Sequence, residues 1–236
     1  MGNEQSERIQ TSFLNRAEKV ALVWLAERQP RWITSDILTY IGVVGALICA
    51  IGFALGCVNI NYLWLSSFGL FVNWYGDSLD GTLARVRNTQ RPKYGFFIDH
   101  SLDVVTICLM CVGAGLSPMF RLDIALMVLA AYLGLSIYTY IGTIIKGQFL
   151  LTYGGFGPTE LRLLIILMNT VYMYVAPLRN WSCTVCNQTF HFFDVLGLII
   201  VVLMAIMWLS KFLQDRKQLS QMDPLKPYNP QEKSNS

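Results

Sequence analysis

Charge is what this chain has least of. Of 236 residues only 14 % are charged while 54 % are apolar, a balance that excludes an ordinary soluble globular protein. Histidine is scarce too, with two in the chain, so no histidine–cysteine set offers a site for a soft metal. Residues 1–30 are polar and charge-rich and lack a cleavable signal pattern. No internal repeat is visible. The cysteines do not suggest a disulfide scaffold: Cys49, Cys57, Cys108 and Cys111 fall in apolar stretches and read as small packing residues. Cys183 and Cys186 form a lone C-x-x-C in a polar loop, either a disulfide or two free thiols. That loop lacks the further ligands of a zinc site.

What is there is a series of apolar runs, each roughly 18–22 residues and long enough to cross a ~30 Å hydrocarbon layer. Six spans are expected, at about 37–58, 61–77, 95–117, 120–145, 161–178 and 190–213. The fold class is therefore an all-α integral membrane protein with six transmembrane helices. In residues 8–28, Ile9, Phe13, Ala17, Val20, Ala21, Trp24 and Leu25 recur at helical spacing. They predict an N-terminal amphipathic helix, lying in the headgroup plane or packed as an ordinary helix. Residues 1–35 form this leading segment, 36–213 the membrane domain, and 214–236 a polar, disordered cytosolic tail with Pro224, Pro227 and Pro230.

With the N-terminus placed in the cytosol, 16 of the 18 basic residues fall on the cytosolic side, leaving Arg121 and Arg179 outside. Both termini and the loop between spans two and three then face the cytosol. The net charge of +3 reflects flanks near anionic headgroups and does not indicate nucleic acid. Ser35 or Thr34 caps the first span, with Asp36 in its first turn. Gly42, Gly45, Gly52 and Gly56, with Gly113 and Gly115, mark close helix contacts.

The informative charges lie where lipid should forbid them: Asp77, Asp80, Arg85, Asp99 and Asp103. A carboxylate at bilayer depth costs several kcal/mol unless paired, wetted or bound to a cation. Asp77 and Asp80 are spaced i, i+3 and Asp99 and Asp103 i, i+4, so each pair shares a helix face. Consecutive antiparallel spans, joined by about seventeen residues (78–94), bring the faces together near the cytosolic surface. Four carboxylates on two helices suit one or two hard divalent cations such as Mg²⁺, Mn²⁺ or Ca²⁺. Gly81 leaves the backbone bare, Ala84 keeps the surface low, and Arg85 offers a planar cation to phosphate oxygens. Together they describe a site for a pyrophosphate-bearing substrate and metal-assisted displacement at phosphorus.

The run Asp77-x2-Asp80-Gly81-x2-Ala84-Arg85-x9-Gly95-x3-Asp99-x3-Asp103 resembles the signature of class I CDP-alcohol phosphotransferases. It departs from D-x2-D-G-x2-A-R-x8-G-x3-D-x3-D by one extra residue before Gly95. The resemblance covers about residues 8–213. It implies transfer of a phospho-alcohol unit from a CDP-linked donor to a hydroxyl acceptor, one of the two a lipid, with release of CMP. It further implies Mg²⁺ or Mn²⁺ held by Asp77, Asp80, Asp99 and Asp103, with two metals expected. Gly81, Ala84 and Arg85 are placed at the nucleotide diphosphate, Asp103 is placed as a base, and a homodimer is implied. The element TSDILT at 34–39 resembles the family's S-P-D-x-x-T, with serine where proline stands, and places Asp36 and Thr39 near the nucleotide.

His100 between the last two aspartates, and Gly157-Pro158-Thr159-Glu160, resemble the choline/ethanolamine phosphotransferase branch. There His100 and Glu160 would activate a lipid hydroxyl; the ordinary alternatives are an orienting histidine and a turn before a helix. The other branch takes CDP-diacylglycerol with inositol phosphate, glycerol phosphate or serine, for which Lys146 and Arg162 are the basic candidates. A bacterial inner membrane or the endoplasmic reticulum would house either enzyme. A divalent-cation channel is the non-enzymatic rival, but it leaves Gly81, Ala84 and Arg85 unexplained. An intramembrane prenyltransferase would need a second aspartate-rich motif, and residues 120–213 offer only Asp123 and Asp194.

Overall fold

The computed structural model describes residues 15–146 and 157–225. Helix α1 (Asn15–Glu27) precedes α2 (Ser35–Leu55), and a 3-10 turn at Ile60–Tyr62 leads into α3 (Leu63–Val86). Then come α4 (Pro92–Gly115), α5 (Leu122–Lys146), α6 (Pro158–Tyr174) and the one-turn α7 (Ala176–Arg179). A hairpin of β1 (Ser182–Val185) and β2 (Gln188–His191) precedes α8 (Phe192–Met222). Each of the six stretches expected to span is helical. Four helices (α2, α4, α5 and α8) are long and apolar enough to cross a membrane, and these are the helices of an integral membrane protein. By contrast α3 carries Ser66, Ser67, Asn73, Asp77 and Asp80, and α6 has 17 residues.

Several boundaries differ from the sequence reading. Helix α3 runs to Val86 and α4 begins at Pro92, so Arg87–Arg91 replace the longer loop expected. Hydropathy marks where apolar residues stop, but a helix satisfies its own backbone and continues into polar surroundings. The reversal is made by Asn88 at φ 54° and by Pro92 at the start of α4, where a missing N–H costs nothing. Likewise α8 continues to Met222, so residues 214–222 are helix where a disordered tail is expected. Pro227, Pro230, Lys226 and Lys233, with Arg8, Ile9 and Phe13 of the amphipathic segment, lie outside the described residues.

The 180–191 loop folds as a hairpin that the sequence reading did not anticipate. Val185 pairs with Gln188 across a two-residue turn, Cys186 and Asn187, both at positive φ (50° and 62°). That pattern is the type I′ turn favoured by strand twist. Cys183 and Cys186 are both free thiols.

Packing divides the bundle into two ends. Far from the aspartates, Cys49, Phe53, Leu63, Leu70, Met119, Tyr172 and Phe193 form one apolar cluster. Near them, Leu22 and Ala26 of α1 close over Leu38, Leu79 and Leu83. Helices α2 and α3 make the most extensive pair. Glycine permits it: a Cβ on Gly45 would collide with the backbone of Asn73. Thr34 caps α2, accepting from the Ile37 N–H at 3.3 Å.

Candidate functional site

The site grows from helix periodicity. Asn73, Asp77 and Asp80 follow one face of α3, and Asp99 and Asp103 one face of α4, with α2 supplying Thr39 and Gly42 as the wall between. One carboxylate oxygen each from Asp77, Asp99 and Asp103 lies within 4.8 Å of the others. At that separation two anions repel by about 3 kcal/mol at an effective dielectric near ~20. A set of carboxylate oxygens at close quarters fits a hard divalent cation.

Asp80 is built differently. Its Oδ2 accepts from Thr39 Oγ1 at 2.7 Å, its Oδ1 accepts from the Gly81 N–H, and its backbone carbonyl accepts from Ser35 Oγ at 2.9 Å. The structure thus gathers three of the four aspartates and turns the fourth, buried, against the start of α2. Thr39 meets the site through Asp80. Asp36 faces the loop before α4, 3.5 Å from Arg91 and 3.4 Å from the Tyr94 hydroxyl.

Gly81, Ala84 and Arg85 occupy the next turn of α3. A Cβ on Gly81 would meet only Arg85 Nη1, at an ordinary 3.6 Å. Arg85 is exposed and donates through Nη2 to Thr82 at 3.0 Å.

His100 is held on three sides. Phe96 stacks on its ring at 4.0 Å, Tyr140 of α5 meets it edge-on at 5.1 Å, and Nδ1 lies 2.8 Å from the Phe96 carbonyl. A carbonyl only accepts, so Nδ1 carries the proton and, in the neutral ring, the lone pair is on Nε2. Asp99 Oδ2 stands 3.9 Å from Nδ1.

Glu160 reaches back to the Gly157 N–H at 3.0 Å, one half of a capping box at the start of α6. Two residues on, Arg162 donates to Asp77 Oδ2 at 2.5 Å and to Asn73 Oδ1 at 2.9 Å. Its Nη1 is buried and has no hydrogen-bond partner among the described residues. Lys146 ends α5, and its side chain lies outside the described residues. Asn73 was missed by sequence reasoning. Its Nδ2 donates to the Gly42 carbonyl at 2.9 Å while Oδ1 takes Arg162, so it couples α2, α3 and α6. The available signal was a polar side chain one helical turn before Asp77 in an apolar run.

Three converging carboxylates with a glycine and an arginine on the same helix as Asp77 are residue types that displacement at phosphorus calls for. Among the curated proteins that match the chain are a eukaryotic and a bacterial enzyme. Cholinephosphotransferase 1 of Gallus gallus is 22 % identical over 189 residues, 75 % of this chain and 54 % of that protein. Phosphatidylinositol phosphate synthase of Cutibacterium acnes is 34 % identical over 71 residues, 30 % of this chain and 32 % of that protein. The chain thus matches about half the length of the first relative and about a third of the second. Both are CDP-alcohol phosphotransferases, and the chain is similar to that family. No family model matches the chain.

Proposed function

We propose that this protein is a divalent-metal-dependent CDP-alcohol phosphotransferase of phospholipid synthesis. In this reading α3 and α6 complete a six-helix membrane domain, α1 lies at the cytosolic surface, both termini are cytosolic, and the protein is a homodimer. The carrying observation is the convergence of Asp77, Asp99 and Asp103 within 4.8 Å, with Gly81 and Arg85 farther along the helix that bears Asp77. These three aspartates, with Asp80 behind them, would hold Mg²⁺ or Mn²⁺. When bound, such ions neutralise the diphosphate and stabilise charge on the departing CMP.

The chain's own groups do the rest. Gly81 and Ala84 let the diphosphate approach α3, and Arg85 binds its oxygens. Asp36 and Thr39 lie at the nucleotide end. The acceptor hydroxyl loses its proton to a base as its oxygen forms a bond to the phosphorus distal to cytidine, and the bond from that phosphorus to the CMP oxygen breaks. With Asp103 committed to the acidic trio, His100 Nε2 is the base we assign, and Glu160 lies on the acceptor side.

The longer alignment, to a cholinephosphotransferase, together with His100 supports a CDP-aminoalcohol donor and a lipid alcohol acceptor. One observation favours a second reading. The buried Nη1 of Arg162 beside Asp77, which has no partner among the described residues, suits a phosphate-bearing acceptor such as inositol phosphate, with CDP-diacylglycerol as donor. Purified protein incubated with Mg²⁺ and a panel of CDP-linked donors and acceptors, scored for CMP, separates the two. CMP release that stops on chelation and returns with metal is expected. Metal flux without CMP from any donor would replace the enzyme with a channel.

A further inference from the structure

Glu18 is the residue the proposed chemistry leaves unused, and it sits at a junction. From α1, its Oε1 accepts from Trp74 Nε1 of α3 at 2.9 Å and from Thr159 Oγ1 of α6 at 2.5 Å. Both partners border the site. Trp74 lies one turn before Asp77 on α3, and Thr159 stands next to Glu160 and one turn before Arg162. Arg162 returns to α3 through Asp77 and Asn73. The contacts therefore close a circuit: Glu18 to Thr159, along the first turn of α6 to Arg162, across to α3, and through Trp74 back to Glu18.

From this circuit we infer that Glu18 is a positioning residue, through which α1 fixes the first turn of α6 against the acidic site. A carboxylate accepting two hydrogen bonds from neutral donors makes stronger bonds than a neutral acceptor would. The first turn of a helix is its least constrained part, because its N–H groups lack intrahelical partners. Here one of those groups is answered by Glu160 itself, so the residue placed on the acceptor side also does the capping. Without an outside anchor, capping and acceptor binding would draw on the same carboxylate. Thr159 is the outside anchor, and Glu18 holds it. The anchor sits on α1, which buries Leu22 and Ala26 against Leu38, Leu79 and Leu83 while exposing Val20 and Trp24. The buried face of α1 is what ties Glu18 to α2 and α3.

The inference deepens the proposed function and rests on it for the acceptor, so its test needs a readout independent of turnover. Full-length protein in lipid nanodiscs would be compared with the Glu18→Ala, Glu18→Gln and Thr159→Val variants by amide hydrogen exchange and by kinetics. Glu18→Ala and Thr159→Val are expected to speed exchange in residues 157–162 about tenfold, with little change in the rest of α6. Acceptor KM should rise severalfold with kcat within about twofold. Glu18→Gln keeps an oxygen that accepts both bonds, more weakly than the carboxylate, and should fall between wild type and Glu18→Ala in both measurements. Unchanged exchange at 157–162 in Glu18→Ala overturns the inference, and so does a Glu18→Gln variant as perturbed as Glu18→Ala. Wild-type protein that releases no CMP sinks the proposed function instead and leaves the exchange result standing.

Discussion

Asp194 and Asp99 are the same side chain put to opposite uses at the two ends of one bundle. Asp194, at the start of α8, is fully buried, and both its oxygens are occupied by backbone: Arg121 N–H at 2.8 Å and His191 N–H at 2.9 Å. It ties the hairpin and α5 to α8, and nothing about it asks for a ligand. Asp99 is half-buried and points at two other carboxylates. An acid whose oxygens are both taken by backbone N–H groups is structural, whereas one brought against two like charges is the kind a cation would stabilise.

The largest expected effect separates these two roles. Asp99→Ala should cut CMP release by about 10²–10³-fold or more while leaving the thermal transition and membrane insertion near wild type. Asp194→Ala should do the reverse. It strands two N–H groups and costs about 2–4 kcal/mol of stability, read as a lower unfolding temperature, with turnover per folded molecule retained. Substantial CMP release from Asp99→Ala would dissolve the contrast.

Glycine offers a second, smaller division of the same kind. Gly45 is required by packing, since any Cβ there strikes the backbone of Asn73, whereas Gly81 has room for one. Gly45→Ala should therefore destabilise by about 1–3 kcal/mol or more. Gly81→Ala should fold normally yet turn over about tenfold more slowly, because the methyl group occupies the path of the diphosphate. A thermal shift assay run beside CMP release distinguishes the pair, and full activity in Gly81→Ala would remove that glycine from the site.

Much of this site was legible because helical spacing is rigid: Asp99 and Asp103, at i and i+4 on α4, share a face that the neighbouring α3 meets with Asp77. The apolar stretches were equally legible, since composition alone sets them apart. Helix ends were not, because α3 and α8 run on past their apolar segments. The rotation of Asp80 toward Thr39 depends on a contact forty-one positions apart in sequence, which no local pattern encodes. Asn73 and Glu18 escaped for a related reason. Each is one polar residue whose meaning comes from the partners that other helices bring to it.

The smallest effect probes the rim, where Asp36 faces Arg91. The pair is open, with 42 % and 59 % of the side chains exposed and 3.5 Å between the charged atoms, so its worth to the fold is about 0–1 kcal/mol. Asp36→Asn should thus leave the unfolding temperature within error. Its resemblance-based place near the nucleotide makes a separate demand, a donor KM raised by about three- to tenfold with acceptor KM unchanged. Arg91→Gln supplies the control. If Asp36 serves the site only by holding Arg91, the two single variants and the double variant should share one donor KM. If Asp36 meets the nucleotide itself, Arg91→Gln should fall short of Asp36→Asn, and the rim of the site would then extend from α3 and α4 onto the first turn of α2.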